Sequence, residues 1–166
     1  MPVLSIKQVE GCEAKVEFEG GEWEVEVHNP FTPEQEEELR WYFENHLEWP
    51  MLETVRAERA ANSIRDYGAE LFEQLFKEPE LLAAFRKYRT DQIRVELSGA
   101  PEFHGIHWEA LWDSKQPNPL AYRAVVTRRV HKKGAAKIQL QAEATIRVLV
   151  VVARPGGGED VGYRTI

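Results

Sequence analysis

Thr145-Ile-Arg-Val-Leu-Val-Val-Val-Ala153 decides how this chain is read. Five of its last six residues are Val or Leu, with no alternation of apolar and polar positions. That pattern suits a strand buried on both faces, as in a parallel sheet covered by helices. Such a strand needs a crossover helix and a neighbouring strand, about 30 residues for one unit. Thirteen residues follow the run, and they include Pro155-Gly-Gly-Gly158. The expectation is an α/β layer begun here and completed in a larger parent domain.

Upstream of the run the hydrophobic period changes twice. Residues 3–9, 14–19 and 23–28 are short extended pieces separated by Gly11 and by Gly20-Gly21. Val16 and Phe18, then Trp23, Val25 and Val27, alternate with charged residues, which predicts a hairpin turned at the glycine pair. Asn29-Pro-Phe-Thr32 ends the extended region. Thr32 is placed to cap a helix, Pro33 suits its first position, and Gln35 completes a capping box. Leu39, Phe43 and Leu47 give that helix, residues 33–48, one apolar stripe, and Trp49-Pro50 ends it. A longer helix over 52–76 carries Val55, Ala60, Ile64, Tyr67-Gly68, Leu71-Phe72 and Leu75-Phe76. Pro79 opens a short third helix through Leu81, Leu82 and Phe85. Facing stripes predict an antiparallel helical hairpin joined at Pro50.

From Gln92 the period is two again, with Ile93, Val95 and Leu97 alternating with Arg94 and Glu96. Residues 104–112 form a compact aromatic segment and 113–119 a loop. Residues 122–130 read as a strand, 131–137 as an exposed linker and 138–144 as the lead into the Val-rich strand. Each apolar face must be buried against another layer. The result is an α+β fold: an N-terminal hairpin region (1–30), a helical region (31–90) and a sheet region (91–166) in one domain. Its mixed sheet holds the strands near 93–97, 122–130 and 146–153.

Composition narrows the function classes. The 166 residues are 43% hydrophobic and include five Trp and seven Phe, enough for one core. A net charge of -7 leaves no basic surplus to displace counterions from phosphate, so nucleic acid is not an expected partner. There is no run of about 18 apolar residues to span a membrane and no signal-peptide pattern at the start. A single cysteine, Cys12, excludes an internal disulfide and fits a reducing cytoplasm.

Four places invite a chemical reading. Gly156-Gly-Gly158 follows an apolar strand but lacks the Gly-Lys-Ser/Thr ending of a phosphate loop, so it reads as a turn. His104, His107 and Glu109 fall within six residues, and on a helix the two imidazoles would face one metal ion. No His-Glu-x-x-His frame is present and Gly105 interrupts the segment, so packing is the default and no cofactor is expected. Cys12 lies between Glu10 and Glu13, acidic neighbours that oppose the role of nucleophile. Arg128-Arg129, with Arg123 nearby, suits an anion or, more simply, an ion-paired strand face.

Four separated segments carry a further signal. The stretch from Asn29 to Glu44, with Arg40-Trp-Tyr-Phe-Glu44 as its most specific part, and Leu47-Glu-Trp-Pro50 resemble the start of CHAT domains. These are caspase-like cysteine peptidases often joined to tetratricopeptide repeats. Ile106-His-Trp-Glu-Ala-Leu-Trp-Asp113 is similar to the family's Pro-Trp-Glu-Leu-Leu segment, with His107 in place of the Pro. Ala121-Tyr-Arg-Ala-Val-Val-Thr-Arg-Arg129 resembles the Arg-containing strand after it. Ile146 to Pro155 resembles the first strand of the caspase-like half. The resemblance covers the chain from about Asn29 to Tyr163.

The resemblance implies an incomplete α/β caspase-like domain whose catalytic His and Cys follow later strands. No position here matches either motif, so no catalytic residue is assigned and the chain is expected to be non-catalytic. The residues it singles out are structural: Trp41, Phe43 and Trp108 as core anchors, and Glu44 and Glu109 as partners of Arg40, Arg128 or Arg129. The expected partner is the C-terminal half of the parent domain or another protein. A homodimer covering residues 146–153 is favoured over a monomer. The alternative function is a stand-alone interaction module.

Overall fold

Two tight turns set up the first thirty residues. Strand β1 (Val3–Glu10) turns at Gly11-Cys12 into β2 (Glu13–Phe18), with Gly11 at a φ of 53°. Strand β2 turns into β3 (Gly21–Glu26) through Glu19 and Gly20, at φ 48° and 81°. Paired positive φ values match a two-residue turn to the twist of its strands. The turn therefore lies one residue earlier than the glycine pair suggests. Gly21 already pairs with Phe18, and the Trp23 ring occupies the space a Cβ there would need.

The computed structural model describes residues 1–46 and 48–130. The chain divides into Met1–Lys133 and Gly134–Ile166, and all the described residues belong to the first unit. The Val-rich strand expected at 146–153, its lead-in at 138–144 and the linker at 131–137 lie outside the described residues.

Strands β4 (Ile93–Gly99) and β5 (Ala124–Val130) join the first three in one mixed sheet of order β3-β2-β1-β4-β5. Strand β1 is antiparallel to β2 and parallel to β4, and β4 is parallel to β5. The N-terminal strands are thus part of the main sheet, and β1 is its central strand. Alternation explains this placement. Leu4 sits beside Val95, and Ile6 lies between Val16 and Leu97, all on one buried face. Burying each such side chain contributes about 1.5–3 kcal/mol. The opposite face carries Ser5, Lys7, Arg94, Glu96 and Thr127, with the exposed Val3 and Val125 on either side of Arg94.

Helix α1 (Pro33–Trp41) starts as its sequence predicts. The Gln35 N–H donates to Thr32 Oγ1 at 3.4 Å, and the Thr32 N–H donates back to Gln35 Oε1 at 2.9 Å. It does not continue to residue 48. After Trp41 the chain widens into a π turn, Tyr42–His46. One added residue rotates the downstream side chains by about 100° relative to the α stripe. Helix α1 buries no residue of its own. Its joint with α2 (Thr54–Leu75) is polar rather than apolar. Arg56 donates to both Glu38 oxygens, at 2.7 and 2.9 Å, and stacks 3.8 Å over the Trp41 ring.

The sheet is covered instead by α2 and by α3 (Pro79–Arg86), through Tyr67, Leu71, Phe72, Leu75, Leu81 and Phe85. Phe85 meets Phe18 and Phe72 at ring separations of 6.2 and 5.8 Å, within the range of favourable aromatic pairs, and Phe76 more closely at 4.3 Å. Among the described residues no helix is long and apolar enough to cross a membrane.

Candidate functional site

The segment between β4 and β5 holds four of the residues the sequence marked out, His104, His107, Trp108 and Glu109. Pro101 opens a single turn, α4 (Pro101–His104), and the chain then bends at Gly105 into a 3₁₀ turn, Trp108–Ala110. Trp108 is 3% exposed and packs 5.0 Å from the Phe103 ring, and its indole N–H donates to the Phe103 carbonyl at 2.8 Å.

From this buried anchor the polar side chains go to different elements. The Nε2–H of His104 donates to the Arg129 carbonyl on β5 at 3.2 Å, while its Nδ1 is buried without a partner among the described residues. The His107 backbone N–H donates to the Tyr67 hydroxyl of α2 at 2.9 Å. Its ring Nε2–H donates to Glu36 of α1, also at 2.9 Å. Glu36 accepts a second bond from Asn29 Nδ2 at 2.8 Å. Glu109 takes both arms of the Arg128 guanidinium, Nη2 at 2.7 Å from Oε2 and Nη1 on Oε1. The Trp112 N–H donates to the Gly68 carbonyl at 3.0 Å. Asp113, 7% exposed, accepts the Lys115 N–H at 3.1 Å and lies 3.4 Å from Arg86 Nε of α3. One segment is thereby tied to three helices and a strand.

The charges follow these contacts. The hydrogen bonds from Arg128 hold the Glu109 carboxyl below its usual range, and Glu109 raises Arg128 in turn. At Glu36 burial pushes the carboxyl up. The bonds from Asn29 and His107 and the nearby Arg40 charge outweigh it, so the net shift is downward. Burial pushes the Tyr67 phenol up to about 12. It stays neutral and accepts a backbone bond, which is not the state of an activated nucleophile. The His107–Glu36 pair has the form of a base held by a carboxylate. Among the described residues no hydroxyl or thiol is seen bonded to its ring, and the pair ties α1 to the β4–β5 segment.

His104, His107 and Glu109 are not brought together, because Gly105 ends α4 and the chain bends between them. Among the described residues no group of three His, Cys, Asp or Glu is placed to hold a metal. Trp108 is buried and Glu109 pairs with Arg128, but two anchors expected from the sequence are elsewhere. Phe43 is 53% exposed and Glu44 is exposed, because the π turn carries both away from the core. Trp41 is half-buried beneath Arg56, and Arg40 pairs with Glu37 at 2.7 Å instead of Glu44. The Arg129 side chain is exposed. Sequence reasoning missed Glu36, Asn29, Tyr67 and the Asp113–Arg86 pair as partners of this segment. Tyr67-Gly68 carried the one usable signal, since a glycine inside an apolar helix stripe marks a close backbone approach.

No protein-family model matches this chain, and no curated protein and no solved structure matches it.

The Glu36 contacts predict a pH effect with a definite sign. A carboxyl lowered by folding adds stability above its unfolded value, about 4.3, and that stability is lost as pH falls through the lower folded value. Glu36→Gln should therefore lower the urea midpoint near neutral pH and flatten its decline on acidification. An acid limb identical to that of the unaltered chain would show that Glu36 is not coupled to folding.

Proposed function

We propose that the chain is the non-catalytic leading portion of a caspase-like CHAT peptidase domain, with a structural or regulatory role in its cytoplasmic parent protein. The observation that carries the reading is the Glu109–Arg128 fork. It joins the two segments, 106–113 and 121–129, that resemble consecutive parts of that family, with Trp108 buried beside them. The fold supports the same reading, since parallel strands β4 and β5 begin a layer of the kind such a domain would continue. The parent peptidase would supply its catalytic His and Cys from later strands. In this chain the one cysteine is exposed in the β1–β2 turn, and the His107–Glu36 pair belongs to the β4–β5 segment.

Two measurements test the reading. The gene should continue past the codon for Ile166 into another α/β repeat bearing a His and a Cys; a stop codon there would remove it. The chain by itself should cleave nothing in a broad peptide library, and Cys12→Ala should change nothing. Cleavage lost on that substitution would give Cys12 the catalytic role denied it here. Self-association through residues 146–153 belongs to the same proposal, and sedimentation at micromolar concentration tests it: a clean 19 kDa monomer is the contrary result. The second reading, a stand-alone interaction module, is favoured by one observation, the exposed apolar turn between α1 and α2.

A further inference from the structure

That turn exposes Phe43, Trp49, Met51, Leu52 and Val55 by 53%, 65%, 91%, 62% and 76%. Single exposed apolar residues need no explanation, but five within residues 43–55 concentrate on one turn, and such a concentration marks an interaction site. The backbone beneath them is held in place. The Glu48, Trp49 and Leu52 N–H groups donate to the carbonyls of Asn45, His46 and Trp49, at 3.2, 3.0 and 3.0 Å. The His46 ring donates from Nδ1 to the Leu52 carbonyl at 3.1 Å and lies 5.6 Å from both the Trp41 and Tyr42 rings. Arg56 closes the base of the turn by binding Glu38 and Glu53 while stacking on Trp41. The π turn that removes Phe43 from the core is part of this frame.

Charge selects the occupant. Glu44, Glu48 and Glu58 are exposed around the patch against one exposed cation, Arg59, and none of the three carboxylates has an ion pair among the described residues. A second copy docking here would bring a second set of the same three carboxylates into one interface, an unfavourable excess of like charge. An anionic lipid surface would be repelled by the same groups and by the net charge of -7. A cationic partner is drawn by both. Exposed Trp, Phe and Met suit the centre of a protein interface, and acidic groups suit its rim.

We infer that the α1–α2 turn docks a cationic amphipathic helix of a protein partner. The helix lays its apolar stripe on Phe43, Trp49, Met51 and Leu52 and sets Lys or Arg against Glu44, Glu48 and Glu58. This is recognition of a helix by an apolar surface with complementary charge at the margin. It stands on the turn alone and does not depend on the chain preceding a catalytic half.

A leucine–lysine amphipathic helical peptide is the probe, titrated into the full chain with tryptophan fluorescence and calorimetry as readouts. Saturable binding with a blue shift is expected as Trp49 leaves water. Met51→Ser with Leu52→Ser should weaken it at least tenfold, while circular dichroism stays unchanged because both side chains are exposed. Glu48→Lys with Glu58→Lys should also weaken it and should favour a leucine–glutamate peptide instead. Equal binding of both peptides by the unaltered chain, or undiminished binding by either variant, would overturn the inference. So would sedimentation showing a peptide-free dimer that the Met51/Leu52 variant abolishes, since the patch would then serve self-association. Stronger binding to neutral vesicles than to the peptide, lost in the same variant, would assign it to lipid.

Discussion

Trp108→Ala should lower the unfolding free energy by about 3–5 kcal/mol, among the largest effects any single substitution in the described residues can have. The ring is 3% exposed, packs on Phe103 and donates its N–H to the Phe103 carbonyl. Removing it opens a cavity in the buried cluster that also holds Leu111 and Ile106, and leaves a carbonyl without its donor. A domain of this size has only about 5–15 kcal/mol of stability in all, so the variant should be partly unfolded at physiological temperature. Trp108→Phe retains most of the volume and loses the hydrogen bond, and should cost about 1–2 kcal/mol. Urea midpoints at unchanged slope measure both. A loss below about 1 kcal/mol for the alanine variant would mean that the β4–β5 segment is not anchored by this residue. Its ties to α1, α2, α3 and β5 would then be independent contacts, with no common support.

The elements that were legible in the sequence are those decided by neighbours in the chain. Thr32, Pro33 and Gln35 specify a helix start within four residues, and the start is found there. Of the expected α2 stripe, Ala60, Tyr67, Gly68, Leu71, Phe72 and Leu75 are buried against one layer. Val55, expected at its start, is 76% exposed because the helix begins there beyond the core. Pro79 opens α3 in the same local way. The role of β1 was not legible, because its parallel pairing with β4 joins Ile6 to Leu97 across most of the described chain. Nothing near Val3–Glu10 specifies that partner. The α1 stripe failed for a different reason. Leu39 and Phe43 have helical spacing, but the π turn intervenes, and His46 five residues after Trp41 comes to lie against its ring. At the candidate site the class of partner was legible and its identity was not. Glu109 is exposed yet lies beside β5, where a carboxylate takes a cation by charge alone. The register of Leu97 with Arg128 puts that arginine, and not Arg129, on the face the segment covers. His107 takes Glu36, from a run of five acidic and amide residues in which no local feature singles it out.

Gly68 gives the second large effect, and its sign is opposite to what helix propensity alone predicts. Replacing a glycine inside a helix by alanine ordinarily stabilises by about 1 kcal/mol. In α2 a Cβ on residue 68 would lie 1.9 Å from the Ala110 carbonyl oxygen and 3.2 Å from Trp112 Cβ. The nearest obstacle is backbone, so no rotamer change relieves it. The Gly68 carbonyl also accepts the Trp112 N–H, which fixes how closely the helix and the 3₁₀ segment approach. Gly68→Ala must therefore push the β4–β5 segment away from α2, straining the Trp112 bond and the His107–Tyr67 bond together. The expected loss is about 1–3 kcal/mol, and Gly68→Leu should prevent stable folding. Asn62→Ala, on the exposed side of the same helix, supplies the contrast and should stabilise by a few tenths of a kcal/mol. If Gly68→Ala raised the urea midpoint as Asn62→Ala does, the close approach would be wrong. Opposite signs at two positions on one helix would establish that the glycine is required by the segment it touches and not by the helix it belongs to.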